Sequence, residues 1–277
     1  MDAYQAMLQL RANLSEPVEV HWKDLELLNK LNYEYKRIWM QLAMQAGDWL
    51  ATSASVTVTA GVITLPATCG KPLYLEDENN RIIPFAGTMR ERRLYELPTA
   101  FGVGLYVSYV TRDSIVANNT ALSGTWTLWF IKRFVPMIYG VAGASSGAAA
   151  LHLEAAQQPS MADDTYNDLD VNTYTIATNA QVLADTITDY TGSTQIATVT
   201  GTPAATTDGY GTVLEQPEEA DGLLIARTTL SALAKPSTSI DPKYFEYQNA
   251  VMRSMEQSWK DWIETRIPGS RQVRVTR

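Results

Sequence analysis

The spacing of apolar residues predicts helices near both ends of the chain. Over residues 24–46, apolar side chains recur at alternating steps of three and four, which places them on one face of a helix. This face consists of Leu28, Leu31, Tyr35, Ile38 and Leu42. A shorter helix is expected over residues 2–14, ahead of Pro17, because the residue before a proline disfavours helical backbone.

Two more helices are predicted in the last quarter of the chain. Pro217 is followed by three acids, which suit the first turn of a helix because they interact favourably with its dipole. The last helix, over residues 241–265, is capped by Asp241 and has Pro242 at its first position. Its predicted apolar face consists of Phe245, Met252, Met255, Trp259 and Trp262. We expect this helix and the helix over residues 24–46 to pack together as the central pair.

The pattern changes to strand-like alternation after the second helix. Residues 54–66 are rich in β-branched side chains around Ala60 and Gly61, which predicts a hairpin. Further strand-like runs follow at residues 73–76, 81–85, 105–111 and 125–134. We therefore predict an antiparallel β-domain over residues 50–140. Trp126 and Trp129 are three residues apart and should lie on opposite faces of their strand.

A stretch rich in Gly, Ala and Ser at residues 140–150 indicates a boundary, after which a second β-module begins. Its short strand-like runs, separated by turns, are typical of a small sandwich or barrel. The predicted class is α+β, with a helical core formed by the N- and C-terminal helices, an antiparallel β-domain and a second inserted β-domain. The predicted divisions are 1–49 and 216–265 for the core helices, 50–140 for the β-domain, 141–215 for the inserted acidic module and 266–277 for a basic C-terminal arm.

Charge is distributed unevenly along the chain, whose net charge is −8. No Lys or Arg occurs between Arg133 and Arg227, while residues 134–226 contain 12 Asp and Glu. The rest of the chain then has 22 basic and 18 acidic residues. Such an acidic block repels nucleic-acid phosphates and argues against a general DNA-binding face.

Candidate catalytic residues are few. His21 and His152 are the only histidines and lie far apart, which leaves little material for a histidine-based triad or metal site. Cys69 is the only cysteine, so an intrachain disulfide is excluded. The spacing of four acids does not match a twelve-residue calcium loop, so a solvated turn is favoured there, although a cation site stays open. These acids are Asp163, Asp164, Asp168 and Asp170. We predict neither a cofactor nor enzymatic activity.

The sequence also predicts no insertion into a membrane. No stretch approaches the roughly 18 to 20 apolar residues that a spanning helix needs. The first residues lack a basic segment followed by an apolar one, as a signal peptide would have. We therefore expect synthesis in the cytoplasm.

The last twelve residues, RIPGSRQVRVTR, contain four arginines and no acid. The arginines are Arg266, Arg271, Arg274 and Arg277. Val273 and Val275 alternate with them, as side chains do in a strand added to a partner. Two interpretations are open: a solvated tail, or an arm that binds an acidic or strand-edge site on another protein.

Three segments, taken in order, resemble a known family. They are HWKDLELLNKLNYEYKRIW, then GDWLATSASVTVTAGVITLPA, and finally LEQPEEADGLLIARTTLSALA. The first of them contains the pattern W-x-D-x-x-L-L-x-x-L-N, which starts at Trp22. Their order is similar to that in tailed-bacteriophage head-to-tail adaptors, the portal-bound tail accessory factors. The similarity covers residues 15–140 and 214–265. Residues 150–214 depart from the minimal adaptor and look like small β-modules of phage tail proteins, so the role of this insertion stays open.

The resemblance implies a virion structural protein of the neck, made in the host cytoplasm. It would form a ring, commonly twelvefold, beneath the portal and join the capsid to a tail or nozzle protein. DNA would pass through the central channel without sequence-specific binding, and the C-terminal arm would insert against portal subunits. The 150–214 module suggests an alternative, a receptor-binding or fibre-attachment protein of the tail. An enzyme acting on glycans is a third hypothesis, for which scattered acids and tryptophans are the sole support.

Overall fold

The described residues form two compact units, of which the first combines Met1–Gln45 with Val135–Arg277 and the second is Ala46–Phe134. We call them the helix–barrel unit and the β unit. In this computed structural model the described residues are 1–17, 19–45, 47–83, 85, 108–111, 113–117, 121–143, 149–201, 208–235 and 241–266. Helices and antiparallel sheets are both present, so the predicted α+β class is confirmed.

The predicted helices are all present in the helix–barrel unit. They are α1 (Ala3–Asn13), α2 (Asp24–Gln45), α3 (Glu218–Leu233) and α4 (Pro242–Arg266). Local sequence explains their starts: Asp2 accepts a hydrogen bond from Gln5 N at 3.0 Å, and Asp241 accepts one from Lys243 N at 2.9 Å. Pro217 occupies the N-cap of α3. A short 3-10 helix, Gly47–Leu50, begins the β unit.

Helix α3 is the centre of the helical layer, and it packs against α1, α2 and α4. Its buried residues are Ala220, Leu223, Leu224, Ile225, Ala226, Thr228, Thr229, Ala232 and Leu233. A helix that is apolar on most sides is stable when it is covered on most sides. The expected central pair, residues 24–46 against 241–265, is therefore wrong: α2 and α4 both pack on α3, and a bond from Trp259 Nε1 to Gln41 Oε1 at 3.1 Å joins them.

The helix–barrel unit also contains a six-stranded antiparallel sheet in the order β8-β13-β10-β11-β12-β9. Its strands are β8 (Tyr139–Val141), β9 (Ala150–His152), β10 (Asp170–Thr175), β11 (Ala180–Thr191), β12 (Ile196–Val199) and β13 (Gly209–Thr212). The two edges meet where Gly143 N donates to His152 O at 3.0 Å, so the sheet curves into a small barrel. The core side chains include Leu151, Tyr166, Val171, Ile187, Tyr190 and Tyr210.

Helix α1 docks directly on the barrel. The Asp2 carboxylate accepts hydrogen bonds from Asn172 Nδ2 at 2.9 Å and from the Tyr174 hydroxyl. The Tyr4 ring stacks on Tyr174 with centroids 4.6 Å apart. Gly211 permits this approach, since a Cβ there would lie 2.3 Å from Tyr4 N. The predicted division into core helices and an inserted module at 141–215 is therefore not found: the boundary at 140 cuts through β8, and the barrel shares one unit with the helices.

The β unit consists of two sheets around one apolar core. One has the order β1-β7-β3-β4 and the other β2-β6-β5. The strands are β1 (Ala51–Val58), β2 (Val62–Thr64), β3 (Cys69–Glu76), β4 (Ile82–Ile83), β5 (Ser108–Val110), β6 (Ser114–Ala117) and β7 (Gly124–Lys132). The unit ends at Phe134, six residues before the predicted limit of 140.

The predicted turn at Ala60 and Gly61 is confirmed, with φ values of 51° and 74° that a two-residue hairpin turn requires. Its two strands nevertheless part after one bridge, between Thr59 and Val62, and join different sheets. The opposite orientation of the two tryptophans is also confirmed: Trp126 is buried in the core, whereas Trp129 donates from Nε1 to Glu76 Oε2 at 3.1 Å.

Over the described residues, the structure contains no helix with both the length and the apolar character needed to cross a membrane.

Candidate interaction surface

The inner face of α2 belongs to the core of the helix–barrel unit. All five residues that the sequence places there are at most 4% exposed, namely Leu28, Leu31, Tyr35, Ile38 and Leu42. The Tyr35 hydroxyl accepts a hydrogen bond from Glu215 N at 3.1 Å, and burial raises its pKa. This face holds α2 rigidly in place and leaves the opposite face to the solvent.

The predicted apolar face of α4 is covered in part. Trp259 is 2% exposed, while Met252 and Trp262 are half-buried. Phe245 and Met255 are 38% and 36% exposed. They are therefore not buried in the core, although the sequence predicted that they would be. The reason is that α4 lies along the edge of the helical layer, where α3 covers a narrow strip of its surface.

The outer face of α2 carries a row of large exposed side chains, which we call the outer stripe: Tyr33, Arg37, Met40 and Met44. Steps of four, three and four residues align them along the helix. Tyr33 is 65% exposed, Met40 49% and Met44 81%. The Arg37 guanidinium lies 6.0 Å from the centroid of the Tyr33 ring. The spacing of apolar residues predicts one apolar face for α2, whereas the structure shows a second row of large side chains on the exposed face.

An open groove of about 610 Å³ continues the outer stripe toward the start of α2. The residues that line it include Lys23, Glu26, Asn29, Lys30, Tyr33 and Ser231, so Tyr33 belongs to both features. Lys30 Nζ donates to Ser231 O at 3.1 Å, at the end of α3. Lys235 Nζ donates to Glu26 Oε2 at 2.8 Å. These bonds fix the groove walls.

A buried polar cluster holds the loop between α1 and α2, and with it the start of the groove. Arg11 is 6% exposed and donates from Nε to Asp24 Oδ1 at 2.8 Å and from Nη2 to Trp22 O at 3.1 Å. The Glu16 carboxylate accepts hydrogen bonds from the backbone of Val20, His21 and Trp22. Burial opposes ionisation of Glu16, but these bonds and the Arg11 charge prevail and lower its pKa.

A stack of three side chains ends helix α4. Trp259 and Trp262 are stacked with centroids 5.2 Å apart and an interplanar angle of 8°. The Arg266 guanidinium lies 5.2 Å from the Trp262 ring, a cation–π distance. Arg266 begins the predicted arm. The other arm residues, Arg271, Val273, Arg274, Val275 and Arg277, lie outside the described residues.

Residues with catalytic or metal-binding chemistry do not converge in the described ranges. Burial raises the pKa of Cys69 to about 11, so its thiol stays protonated at neutral pH. The His21 ring lies against Trp22, while His152 Nε2 is 2.9 Å from Thr194 O in the barrel. No described group of three or more His, Cys, Asp or Glu side chains is placed to hold a metal ion.

The four acids of residues 163–170 are exposed, as expected for a solvated turn. Asp163 accepts a hydrogen bond from Gly192 N at 2.8 Å, and Asp164 accepts one from Asn167 Nδ2 at 2.9 Å. Asp170 accepts one from Thr186 Oγ1 at 2.7 Å. Together with Asp168 they give the outer surface of the barrel a negative charge.

Comparison with known proteins adds no family to this description. No protein-family model matches the chain, and no curated protein matches it. The features that bear on function are therefore the outer stripe with its groove, the stack at the end of α4, and the acidic surface of the barrel.

Proposed function

We propose that this protein is a structural protein of a tailed-bacteriophage virion, a head-to-tail adaptor subunit in the neck. Copies form a ring beneath the portal and join the capsid to a tail or nozzle protein. DNA passes through the ring without sequence-specific binding. The observation that carries the proposal is the outer stripe of α2, which presents interaction chemistry on a rigid helix.

The composition of the outer stripe supports a role in protein binding. Tyr, Met and Arg are enriched at the centres of protein interfaces, and rows of exposed apolar side chains commonly indicate such sites. The buried face of α2 holds these side chains on a fixed scaffold. A site on a rigid element loses less conformational entropy when it binds a partner.

The end of α4 supports a binding role for the arm. Trp259 is anchored to α2 through Gln41, Trp262 stacks on it, and Arg266 lies over Trp262. Arg266, the first residue of the predicted arm, is therefore held at a defined position. Arginines can pair bidentately with carboxylates of the portal, and such charge-assisted bonds are stronger than neutral ones.

The charge of the barrel supports passage of DNA without binding. Its exposed carboxylates repel phosphates. A surface of this kind near a channel would leave DNA free to slide past it.

The proposal is tested by electron microscopy of portal rings mixed with the purified protein. The wild type should decorate the portal. Removal of residues 268–277, or the joint change Arg271→Glu, Arg274→Glu and Arg277→Glu, should abolish decoration and leave the fold intact. The matched control is Lys243→Glu, Arg253→Glu and Lys260→Glu, which changes the charge equally at exposed positions of α4.

The control variant should bind as the wild type does. Undecorated portals with the wild-type protein would contradict the adaptor proposal, and binding to tail fibres instead would favour the receptor-binding alternative. Decoration by the truncated protein at unchanged affinity would show that the arm is a solvated tail.

A further inference from the structure

The side of the unit formed by α2 combines exposed apolar side chains with positive charge. Lys23 and Lys30 line the groove, and the printed bonds of Lys30 go to the neutral oxygens of Ser231. Glu26 is the acid that lines the groove, and Lys235 is its partner. The Glu34 carboxylate is buried and paired with Arg37. A partner for this face should therefore carry carboxylates.

The barrel of the same chain carries exposed carboxylates close together. Asp164 N donates to Tyr190 O at 2.9 Å and Asp168 N donates to Ile187 O at 2.9 Å, so residues 164–168 run beside β11. Asp170 follows in β10, opposite Thr186, and Asp189 is exposed on β11. We call Asp163, Asp164, Asp168, Asp170 and Asp189 the acidic barrel surface. No Lys or Arg occurs anywhere in residues 134–226 to neutralise it.

The two surfaces belong to different elements of one compact unit. Helix α2 is joined to the β8 side of the barrel, where Asn32 Oδ1 accepts from Met137 N at 2.8 Å and Tyr139 donates to Asp24. In the sheet order, β11 is three strands from β8, which is half of the way around six strands. Complementary surfaces on different elements of one chain can meet when two copies associate.

We propose that copies of this chain contact one another head to tail, with the outer stripe and groove of α2 on one copy against the acidic barrel surface of the next. Contacts between two different surfaces of identical subunits generate rings or filaments. Tyr33, Met40 and Met44 supply the apolar area, and the opposite charges fix the register. The inference rests on the proposed function in that it names the contact that builds the ring.

The test is a charge exchange between two variants of the full chain. Variant A, Lys23→Glu with Lys30→Glu, makes the groove of the α2 face negative. Variant B, Asp168→Lys with Asp170→Lys and Asp189→Lys, changes the charge of the five-aspartate barrel surface from negative to positive at exposed positions. The control is Lys243→Glu with Lys260→Glu on α4, which repeats the charge change of variant A elsewhere. Sedimentation velocity over a concentration series measures association, and native mass spectrometry identifies the species.

The wild type and the control should self-associate at low salt, and less at high salt because ions screen the contact. Variants A and B alone should each associate roughly tenfold or more weakly. An equal mixture should restore association, in species that contain both variants, because the reversed faces complement each other. This recovery cannot come from misfolding.

The proposal is overturned if the wild type stays monomeric at low salt or if either variant alone associates as the wild type does. It is also overturned if an equal mixture of variants A and B does not restore association. Portal decoration separates this result from the adaptor proposal. If the wild type decorates portals but the mixture fails to recover, the contact is wrong and the adaptor proposal stands. If the mixture recovers but portals stay bare, the contact stands and the adaptor proposal is contradicted.

Discussion

The barrel and the β unit are both antiparallel and each has its own apolar core, but they are incorporated into the chain in different ways. The barrel belongs to one compact unit with the four described helices, and Ala46–Phe134 forms a unit by itself. Asp2, Tyr4 and Asp24 bond the helical layer to barrel strands far away in sequence. Insertion in the sequence therefore does not by itself make a β-module independent.

Gly140 shows why a Gly-, Ala- and Ser-rich composition does not mark a domain boundary at this position. In the sequence, Gly140 stands at the start of a Gly-, Ala- and Ser-rich stretch that indicates a boundary. In the structure it lies in β8, and a Cβ at this position would be 2.7 Å from the Tyr210 hydroxyl. The residue serves close packing in the barrel.

The largest difference between the two regions should appear on deletion. Removal of residues 145–212 should abolish cooperative unfolding of the helices, because α1 loses the strands on which Asp2 and Tyr4 pack. Replacement of residues 46–134 by a short Gly-Ser linker should leave the helix–barrel unit with a cooperative thermal transition, measured by circular dichroism. A cooperative transition in the first deletion would show that the barrel is an independent module after all.

A single methyl group added between α1 and the barrel should also show that the two pack as one unit. Gly211→Ala places a Cβ 2.3 Å from Tyr4 N, so α1 must shift and the free energy of unfolding should fall by about 3 kcal/mol. Gly222→Ala is the control: the nearest atom is Met255 Sδ at 3.0 Å, which can move, and alanine favours a helix by about 1 kcal/mol. Urea denaturation measures both. If the two variants change the free energy of unfolding equally, α1 does not pack closely on β13.

Removal of a helix cap should have a smaller effect, which depends on the partner of the cap. Asp2→Ala removes the cap of α1 and two bonds to the barrel, at a cost of about 2 kcal/mol. Asp241→Ala removes the exposed cap of α4, at a cost of about 1 kcal/mol. If the two variants unfold at the same urea concentration, the contribution of Asp2 to the barrel contact is negligible.

The last predicted effect depends on pH and is no larger than that of Asp241→Ala. Because the folded pKa of Glu16 lies below its ordinary value of 4.5, its stabilising effect is complete above that pH and is lost as the pH falls through the lowered pKa. Glu16→Gln should lower the free energy of unfolding by about 1 kcal/mol at neutral pH. The difference in free energy of unfolding between Glu16→Gln and the wild type should become smaller in acid. A difference that is constant from neutral to acidic pH would refute the role of the charge.

Local signals in the sequence predicted the parts of the fold that depend on neighbouring residues. Asp241 with Pro242 marked the start of α4, and Ala60 with Gly61 marked the turn. The central position of α3 and the docking of α1 could not be predicted, since they depend on contacts such as Asp2 with Tyr174, 172 residues apart. The buried face of α2 was predicted correctly from its spacing. The outer stripe was not, because the spacing of Tyr33, Met40 and Met44 does not show whether a neighbouring element covers them.

The central structural claim is that helices and barrel form one cooperative unit on which the binding surfaces are held. Hydrogen exchange of the intact chain, compared between the wild type and Gly211→Ala, tests it most directly. We expect amides of α1, α3, β10 and β13 to lose protection together in Gly211→Ala, while amides of residues 46–134 keep theirs. Loss of protection in the barrel strands alone, with α1 and α3 unchanged, would contradict it.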